Sequence, residues 1–223
     1  AQEVAAVIAD DRYIAADGVE AVEVEYEPMQ AVADPFKAME KDAPVLRKDK
    51  EGKTDNHCWH WETGDAEKTE KVFQAADVVV KEKVYLPRIH VCSIETCGCV
   101  ASFDPAEGKL TVWMTTQAPH AIRTVFALVA GHVGLSEEKI RIISPDIGGG
   151  FGGKVPVYPG YVIAVASSVV IGKPVKWVED RSENLQADSF ARDYHMTVEM
   201  AASNEGKMEA LRIKTIADHG YTD

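Results

Sequence analysis

The hydrophobic and polar positions of the chain predict a mixture of strands and helices. Over residues 22–27 apolar and acidic side chains alternate, a period typical of a strand with one buried and one solvent-exposed face. A short amphipathic helix is predicted before it, at residues 13–18. Further helices are predicted over 64–76, 118–134 and 158–172, strands over 77–86, 97–104, 109–116, 139–146 and 173–180, and a hairpin over 191–220. Because strands and helices do not alternate regularly, we expect an α+β fold with a mixed sheet.

The pattern is interrupted at residues 30–56, which are polar, charged and punctuated by proline. Such a composition is typical of a linker or a long surface excursion, so it predicts a domain boundary. We assign 36–56 to this linker.

Composition and charge exclude several functional classes. With 46% hydrophobic and 27% charged residues among 223, the chain is able to bury a core. Its net charge of −12 argues against a nucleic-acid binder, which needs a basic face. No run of about 18 apolar residues predicts a transmembrane segment. Four cysteines do not make a disulfide scaffold in a chain of this size, so a reducing compartment is favoured.

Residues 148–154, GGGFGGK, contain the strongest candidate for chemistry, with five glycines around Phe151. A phosphate loop would need a hydroxyl after the lysine to hold Mg²⁺, and Val155 does not supply one. A dinucleotide-binding G-x-G-x-x-G would need a helix to begin within the run, which Pro156 and Pro159 prevent. A purely structural loop, with no ligand, is a further alternative. We favour a concave set of backbone N–H groups that binds an anionic or oxo ligand, with Phe151 at its edge.

This glycine run resembles the molybdopterin-contacting loop of the molybdenum hydroxylases, the xanthine dehydrogenase and aldehyde oxidase superfamily. Three other segments resemble elements of the same superfamily, in the same order: VEVEYEPMQAVADP, HVCSIETCGCVASFD and WMTTQAPH. Within the superfamily, IETCGCVA, TTQAPHAIRTV and PDIGGGFGGKV are most similar to the large subunits of aerobic, molybdenum-containing carbon monoxide dehydrogenases and their near paralogues.

The resemblance implies a domain organisation and roles for site residues. Residues 1–35 would be the C-terminal end of an α/β-hammerhead domain, and 57–223 the first part of a molybdenum cofactor-binding domain. Gln117 would be the catalytic residue and would donate a hydrogen bond to an oxo ligand of molybdenum, since a carboxamide donates without adding charge. The cofactor-binding residues would be Gly149, Gly150, Phe151, Gly152 and Gly153, and neither Gln117 nor Phe151 would ligate the metal directly.

The resemblance also implies cofactors and partners. The cofactor would be molybdopterin cytosine dinucleotide with molybdenum, while FAD and two [2Fe–2S] clusters would lie on a medium and a small partner subunit, in a dimer of heterotrimers. The substrate would be a small molecule, either carbon monoxide or an aldehyde or heterocycle, oxidised with oxygen from water. The complex would be cytoplasmic, with peripheral association to the inner face of the membrane allowed.

Two departures from the superfamily pattern affect these expectations. Xanthine-oxidising members carry an acidic residue after the lysine, so Val155 argues against a purine. The superfamily's later loops, with a diagnostic cysteine and a C-terminal glutamate base, do not occur in these 223 residues. We therefore expect this chain to be part of a large subunit, with an incomplete active site on its own.

Other polar clusters allow a functional and a structural interpretation. Two groups have the residue types of a zinc site: His90 with Cys92, Cys97 and Cys99, and His57 with Cys58 and His60. We favour a structural interpretation of both, as small buried residues in the first group and as a surface loop in the second. Glu95 is predicted to be a structural hydrogen-bond acceptor. His120 and Arg123 are candidates to lie near the cofactor, whereas ordinary salt bridges are expected for Arg181, Arg192 and His195.

Overall fold

A computed structural model describes residues 4–47 and 52–220. The helices are α1 (Arg12–Glu20), α2 (Pro35–Ala38), α3 (Ala66–Ala75), α4 (Pro119–Ala130), α5 (Pro159–Ile171) and α6 (Arg181–Ala187). The strands are β1 (Val78–Leu86), β2 (Gly98–Asp104), β3 (Lys109–Met114), β4 (Ile140–Ile143), β5 (Val175–Val178), β6 (Tyr194–Ala202) and β7 (Met208–Ala217). Short 3₁₀ turns occupy Gly131–Val133 and Glu137–Lys139. None of these helices combines the length and the apolar character needed to cross a membrane.

The chain divides into two compact units, residues 1–25 with 90–190 and residues 26–89 with 191–223. The first unit contains a four-stranded sheet in the order β4-β3-β2-β5. In this sheet β3 and β4 are parallel and the other pairs antiparallel, so the predicted mixed sheet is confirmed. The second unit contains an antiparallel sheet in the order β1-β6-β7. The assignment of 1–35, 36–56 and 57–223 to domains of the superfamily stays a prediction.

Helix α5 covers the four-stranded sheet of the first unit. Gly160 allows the close approach, because a Cβ at this position would lie 2.1 Å from Cε2 of Trp177. Tyr161 is fully buried and meets the Trp177 ring edge to face, with 5.1 Å between ring centroids. The Ser168 hydroxyl accepts a hydrogen bond from the backbone N of Phe103 at 2.9 Å, which joins α5 to β2. This packing explains why residues 158–172 read as a buried helix rather than an amphipathic one.

The predicted strand over 22–27 is wrong. These residues have no regular secondary structure, and Val22, Val24 and Tyr26 are exposed. An alternating pattern indicates which face would be buried, but a strand also needs a neighbouring strand to bond with. No strand pairs with 22–27 in the described part of the chain.

Two helices were missing from the sequence prediction. Helix α6 begins at a capping box, in which Asp180 accepts from the backbone N of Glu183 and Glu183 accepts from the backbone N of Asp180. The D-x-x-E spacing was visible in the sequence and is a known signal for a helix start. The four-residue α2 lies within the polar segment at 30–56, capped by Asp34 with proline as its first residue.

Candidate functional site

The glycine loop, residues 148–154, follows β4 and lies beside Gln117, which follows β3 in the same unit. The parallel pairing of β3 and β4 brings these two segments to the same edge of the sheet. The Gln117 backbone N donates to the Lys154 carbonyl at 3.0 Å. The Thr116 hydroxyl donates to the same carbonyl at 3.3 Å. The structure therefore brings the Gln117 segment and the glycine loop together.

The Gln117 side chain is held by the loop in one orientation. Its Oε1 accepts from the backbone N of Gly152 at 3.1 Å and from the backbone N of Lys154 at 3.2 Å. Because both partners are N–H donors, only the oxygen of the carboxamide fits this position. The amide Nε2 is thereby left as a donor directed away from these two bonds.

The local geometry explains why each of these five loop positions is glycine. A Cβ on Gly150 would lie 2.4 Å from Cδ of Gln117, and Cβ atoms on Gly148 and Gly153 would meet other side chains at 2.5 and 2.6 Å. Gly149 and Gly152 have φ values of +95° and +93°, a region that favours glycine. Close approach at three positions and backbone conformation at the other two account for the glycine density.

The N–H groups of the loop divide into two sets. Those of Gly152 and Lys154 bind Gln117, and that of Gly153 donates to the Gly150 carbonyl at 2.8 Å. The N–H groups of residues 149–151 have no hydrogen-bond partner within 4–47 and 52–220. The loop thus presents consecutive backbone donors, as a cradle for an anionic or acceptor-rich ligand would.

Phe151 lies within the loop, and Ser93 borders it. Phe151 has a φ of +51° and is 74% exposed, so its ring is not part of the core. Ser93 is only 6% exposed, and its Oγ is buried without a hydrogen-bond partner among the described residues. Its Cβ would lie 3.5 Å from a Cβ at Gly149, which places Ser93 beside the unpaired N–H groups. A buried hydroxyl without a partner needs an explanation, and a ligand in this cradle provides one.

Lys154, the last residue of the loop, forms an ion pair with Glu95, with Nζ 2.8 Å from Glu95 Oε2. The same carboxylate oxygen accepts from the backbone N of Gly148 at 2.6 Å. The hydrogen bond from Lys154 lowers the pKa of the Glu95 carboxyl, against the opposing effect of partial burial. Glu95 is the structural acceptor that the sequence predicted. Its pairing with Lys154, 59 residues later, was not predicted.

The possible zinc sites are not formed in the described structure. Cys97 and Cys99 are buried, Cys92 is exposed, and these residues do not form a three-ligand cluster with His90. Burial raises the pKa of the Cys97 and Cys99 thiols to about 12, so both are neutral. In the second group Cys58 is exposed, and no ligand cluster includes it in the part of the chain described.

A different polar cluster lies where β2 begins and β5 ends, and there Cys97, Glu179 and Asp188 place ligand-type atoms within 4.8 Å of one another. Asn184 Nδ2 bridges the two carboxylates, at 2.8 Å to Glu179 and 2.6 Å to Asp188. Glu179 also accepts from the backbone N of Cys97 at 2.6 Å. Burial, followed by the charge of Glu179, raises the pKa of Asp188 to about 7. Hydrogen bonds within the protein satisfy most of this cluster, but Asp188 Oδ1 is buried without a hydrogen-bond partner among the described residues.

The remaining candidates have ordinary or structural contacts. Arg123 pairs with Glu137 at 3.0 Å, and exposed His120 lies in the first turn of α4. Arg181 does not form the expected salt bridge with any residue that the structure describes; its guanidinium donates to the carbonyls of Ser93 and Ile94 at 2.6 and 2.8 Å.

The last two of these candidates lie in the second unit. His195 has an ion-pair contact of the expected kind, with its Nε2 3.6 Å from Asp193 Oδ1, and its ring stacks on Tyr85 with 4.5 Å between centroids. Arg192 is exposed with a φ of +72°. Neither belongs to the unit that contains the glycine loop.

Comparisons with known proteins identify the family of the chain. Residues 49–223 match the model of the molybdopterin cofactor-binding domain. The whole chain is 55% identical to 28% of the carbon monoxide dehydrogenase large chain of Hydrogenophaga pseudoflava. It is 34% identical, over 96% of its length, to 25% of the nicotine 6-hydroxylase large subunit of Paenarthrobacter nicotinovorans. The structure of CO dehydrogenase from Oligotropha carboxidovorans matches 95% of this chain with a TM-score of 0.88 and 55% identity, over 27% of that chain. The chain thus spans just over a quarter of the length of these relatives.

Proposed function

Because the chain belongs to the molybdopterin cofactor-binding domain family, we propose that it is the cofactor-binding part of the large subunit of a molybdenum hydroxylase that oxidises carbon monoxide. The observation that carries the proposal is the Gln117 amide, whose oxygen accepts hydrogen bonds from two N–H groups of the glycine loop. Its nitrogen is thereby available to donate to a ligand. The 55% identity to a carbon monoxide dehydrogenase large chain supports carbon monoxide as the substrate.

The donors at this site suit the cofactor. Molybdopterin carries oxygen and nitrogen acceptors and a phosphate, and the N–H groups of residues 149–151 supply uncharged donors to such atoms. Nε2 of Gln117 donates to an acceptor oxygen of the cofactor, and the hydroxyl of Ser93 has no competing partner in the described residues. When bound, the cofactor accepts the electrons of the substrate, and water supplies the oxygen. We assign molybdopterin cytosine dinucleotide as its form, on the resemblance of the glycine loop.

The residues of this chain orient the cofactor and leave the substrate side uncharged. Phe151 and Val155 are exposed at the loop, and neither adds a charge. Val155 supports a small neutral substrate over a purine, since a purine's polar edge is better recognised by an acidic side chain. The 34% identity to a nicotine 6-hydroxylase large subunit supports an aromatic heterocycle as the alternative substrate, and an aldehyde is a further candidate.

We further propose that the electrons leave through [2Fe–2S] clusters on a small subunit to FAD on a medium subunit, in a cytoplasmic dimer of heterotrimers. The support for these partners is the resemblance of the motifs around Glu95, Gln117 and the glycine loop to those of carbon monoxide dehydrogenase large subunits. Copurification of the complete native protein tests this assignment, and a complex without flavin and iron would contradict it.

Substrate turnover tests the activity. The complete complex, purified natively, is mixed anaerobically with carbon monoxide, an aldehyde or nicotine, and reduction of an artificial electron acceptor is followed. We expect carbon monoxide to reduce the acceptor, with carbon dioxide formed in the same amount. Turnover of nicotine but not of carbon monoxide would favour the heterocycle alternative. No turnover by a complex that contains molybdenum and pterin would contradict all three substrates.

A non-catalytic interaction domain is the rival from another functional class. In that case the glycine loop would serve packing alone, and residues 149–151 would need no ligand for their N–H groups. Absence of molybdenum and pterin from the natively purified complex would favour this rival.

A further inference from the structure

We propose that Glu95 and Lys154 act as a positioning ion pair, which ties both ends of the glycine loop together and thereby holds the Gln117 amide in the orientation that serves the cofactor. The role toward the cofactor rests on the proposed function, whereas the role toward the loop rests on the contacts of this structure alone.

The burial of Lys154 is the first argument. Its side chain is only 2% exposed, and its Nζ lies 2.8 Å from Glu95 Oε2. A buried ammonium group destabilises a protein strongly unless it is paired and hydrogen-bonded. Glu95 is its sole carboxylate partner among the residues that the structure describes. The lysine is therefore built into the site and depends on Glu95.

Glu95 also binds the opposite end of the loop. Its Oε2 accepts from the backbone N of Gly148 at 2.6 Å, and its backbone N donates to the Gly148 carbonyl at 3.3 Å. One carboxylate oxygen thus joins the first residue of the loop to Lys154, the last. The close approach requires glycine at 148, because a Cβ there would lie 2.5 Å from Cβ of Glu95.

Lys154 passes this constraint to Gln117 through its backbone. The Lys154 N–H donates to Gln117 Oε1 at 3.2 Å, and its carbonyl accepts from the Gln117 backbone N at 3.0 Å. If the Lys154 side chain lost its partner, the backbone that fixes the carboxamide would lose its anchor. Glu95 reaches the cofactor only through these groups, so it is a positioning residue and not a catalytic one.

Hydrogen exchange tests the role toward the loop. Glu95→Gln keeps the size of the side chain but removes its charge, and the measurement follows peptides covering residues 148–155 in the complete protein by mass spectrometry. The loss of a charged hydrogen-bond partner predicts roughly 10- to 100-fold faster exchange in these peptides. Exchange of β2 and β3 reports the general loss of stability caused by the unpaired Lys154, so the loop peptides should accelerate more than these strands do.

Glu137→Gln is the matched control in the same unit. Glu137 is also a partly exposed carboxylate, at 39% against 41% for Glu95, and it pairs with Arg123. Removing its charge should leave exchange at 148–155 unchanged. If Glu95→Gln also leaves it unchanged, the positioning role is wrong.

Cofactor release tests the second half of the inference. The rate at which molybdenum and pterin leave the protein during dialysis should rise by at least about tenfold in Glu95→Gln, and not in Glu137→Gln. Adding Lys154→Met removes the unpaired ammonium; the double variant should regain thermal stability but not cofactor retention. Wild-type release rates in Glu95→Gln would overturn the inference while leaving the proposed function intact. A wild-type complex without molybdenum would overturn the proposed function, and the exchange data would still decide the role toward the loop.

Discussion

Replacement of Gln117 by glutamate separates the two functions of its carboxamide. Oε1 accepts two backbone N–H groups of the loop, at 3.1 and 3.2 Å, and Nε2 is the donor that the proposed function assigns to the cofactor. A carboxylate accepts both loop bonds but donates none near neutral pH. Alanine, in contrast, removes both functions. The pair of variants therefore distinguishes the role of Gln117 as a donor to the cofactor from its role in holding the loop.

The two effects differ in magnitude. Each loop hydrogen bond contributes about 0.5–1.5 kcal/mol, and because Gln117 is exposed the lower end applies, which gives about 1 kcal/mol for both bonds. Loss of one preorganised donor at a reaction centre lowers turnover by about 10²- to 10³-fold. We expect Gln117→Glu and Gln117→Ala to share this loss of turnover, while only Gln117→Ala loosens the loop.

The assay measures turnover of carbon monoxide in the complete complex, normalised to its molybdenum content, together with hydrogen exchange of residues 148–155. Flavin reduction by an artificial donor should be unchanged, because it bypasses this site. Gln30→Glu, at an exposed position, controls for the added charge. Wild-type turnover in Gln117→Glu would refute the donor role. Equally faster exchange of the loop in both variants would refute the role of the Gln117 oxygen in holding the loop.

Three further outcomes are expected. Ser93→Ala should leave the unfolding temperature unchanged or higher, because its buried hydroxyl has no partner among the described residues, but should speed cofactor release about 3- to 10-fold. Burial, with a neighbouring carboxylate, raises the pKa of Asp188 from 3.8 to about 7. Because the folded state binds this proton more tightly than the unfolded state, stability falls as the pH rises from about 4 to about 7. Asp188→Asn should reduce this fall in thermal melts at pH 4 to 8. Gly160→Ala should destabilise the protein by about 1–3 kcal/mol, because the added Cβ clashes with Trp177. Gly131→Ala is the control and should not destabilise it, because the space around Gly131 is open. Denaturant unfolding measures both variants.

The sequence predicted the regular elements best where packing and pattern agree. The apolar run at 158–172 became α5 because the side that carries Tyr161, Ala164 and Val165 is buried in the core of the first unit. The alternation at 22–27 predicted a strand equally well, yet the structure has none there. The difference is physical: a helix satisfies its own backbone, whereas a strand depends on a partner that its own pattern does not reveal.

The candidate site also contains features that the sequence predicted and features that it did not. Glycine density and the nearby Gln117 were visible in the sequence, since close approach and positive φ leave a local compositional signal. The ion pair of Glu95 and Lys154 left no such signal, because it joins residues 59 positions apart. The buried hydroxyl of Ser93 also left no signal in the sequence, since a missing hydrogen-bond partner is a property of the folded structure alone.

The central claim is that the loop at 148–154, with Gln117, binds a molybdenum–pterin cofactor. The most direct measurement is the molybdenum and pterin content per chain of the natively purified complete protein, compared with a Gly150→Val variant. A side chain at 150 would displace the Gln117 amide, since even a Cβ would lie 2.4 Å from its Cδ. We predict near-equimolar molybdenum and a released cytosine nucleotide in the wild type, and loss of both in a variant that still folds. Absence of molybdenum from the wild type purified with its partners, or its full retention in Gly150→Val, would contradict the account.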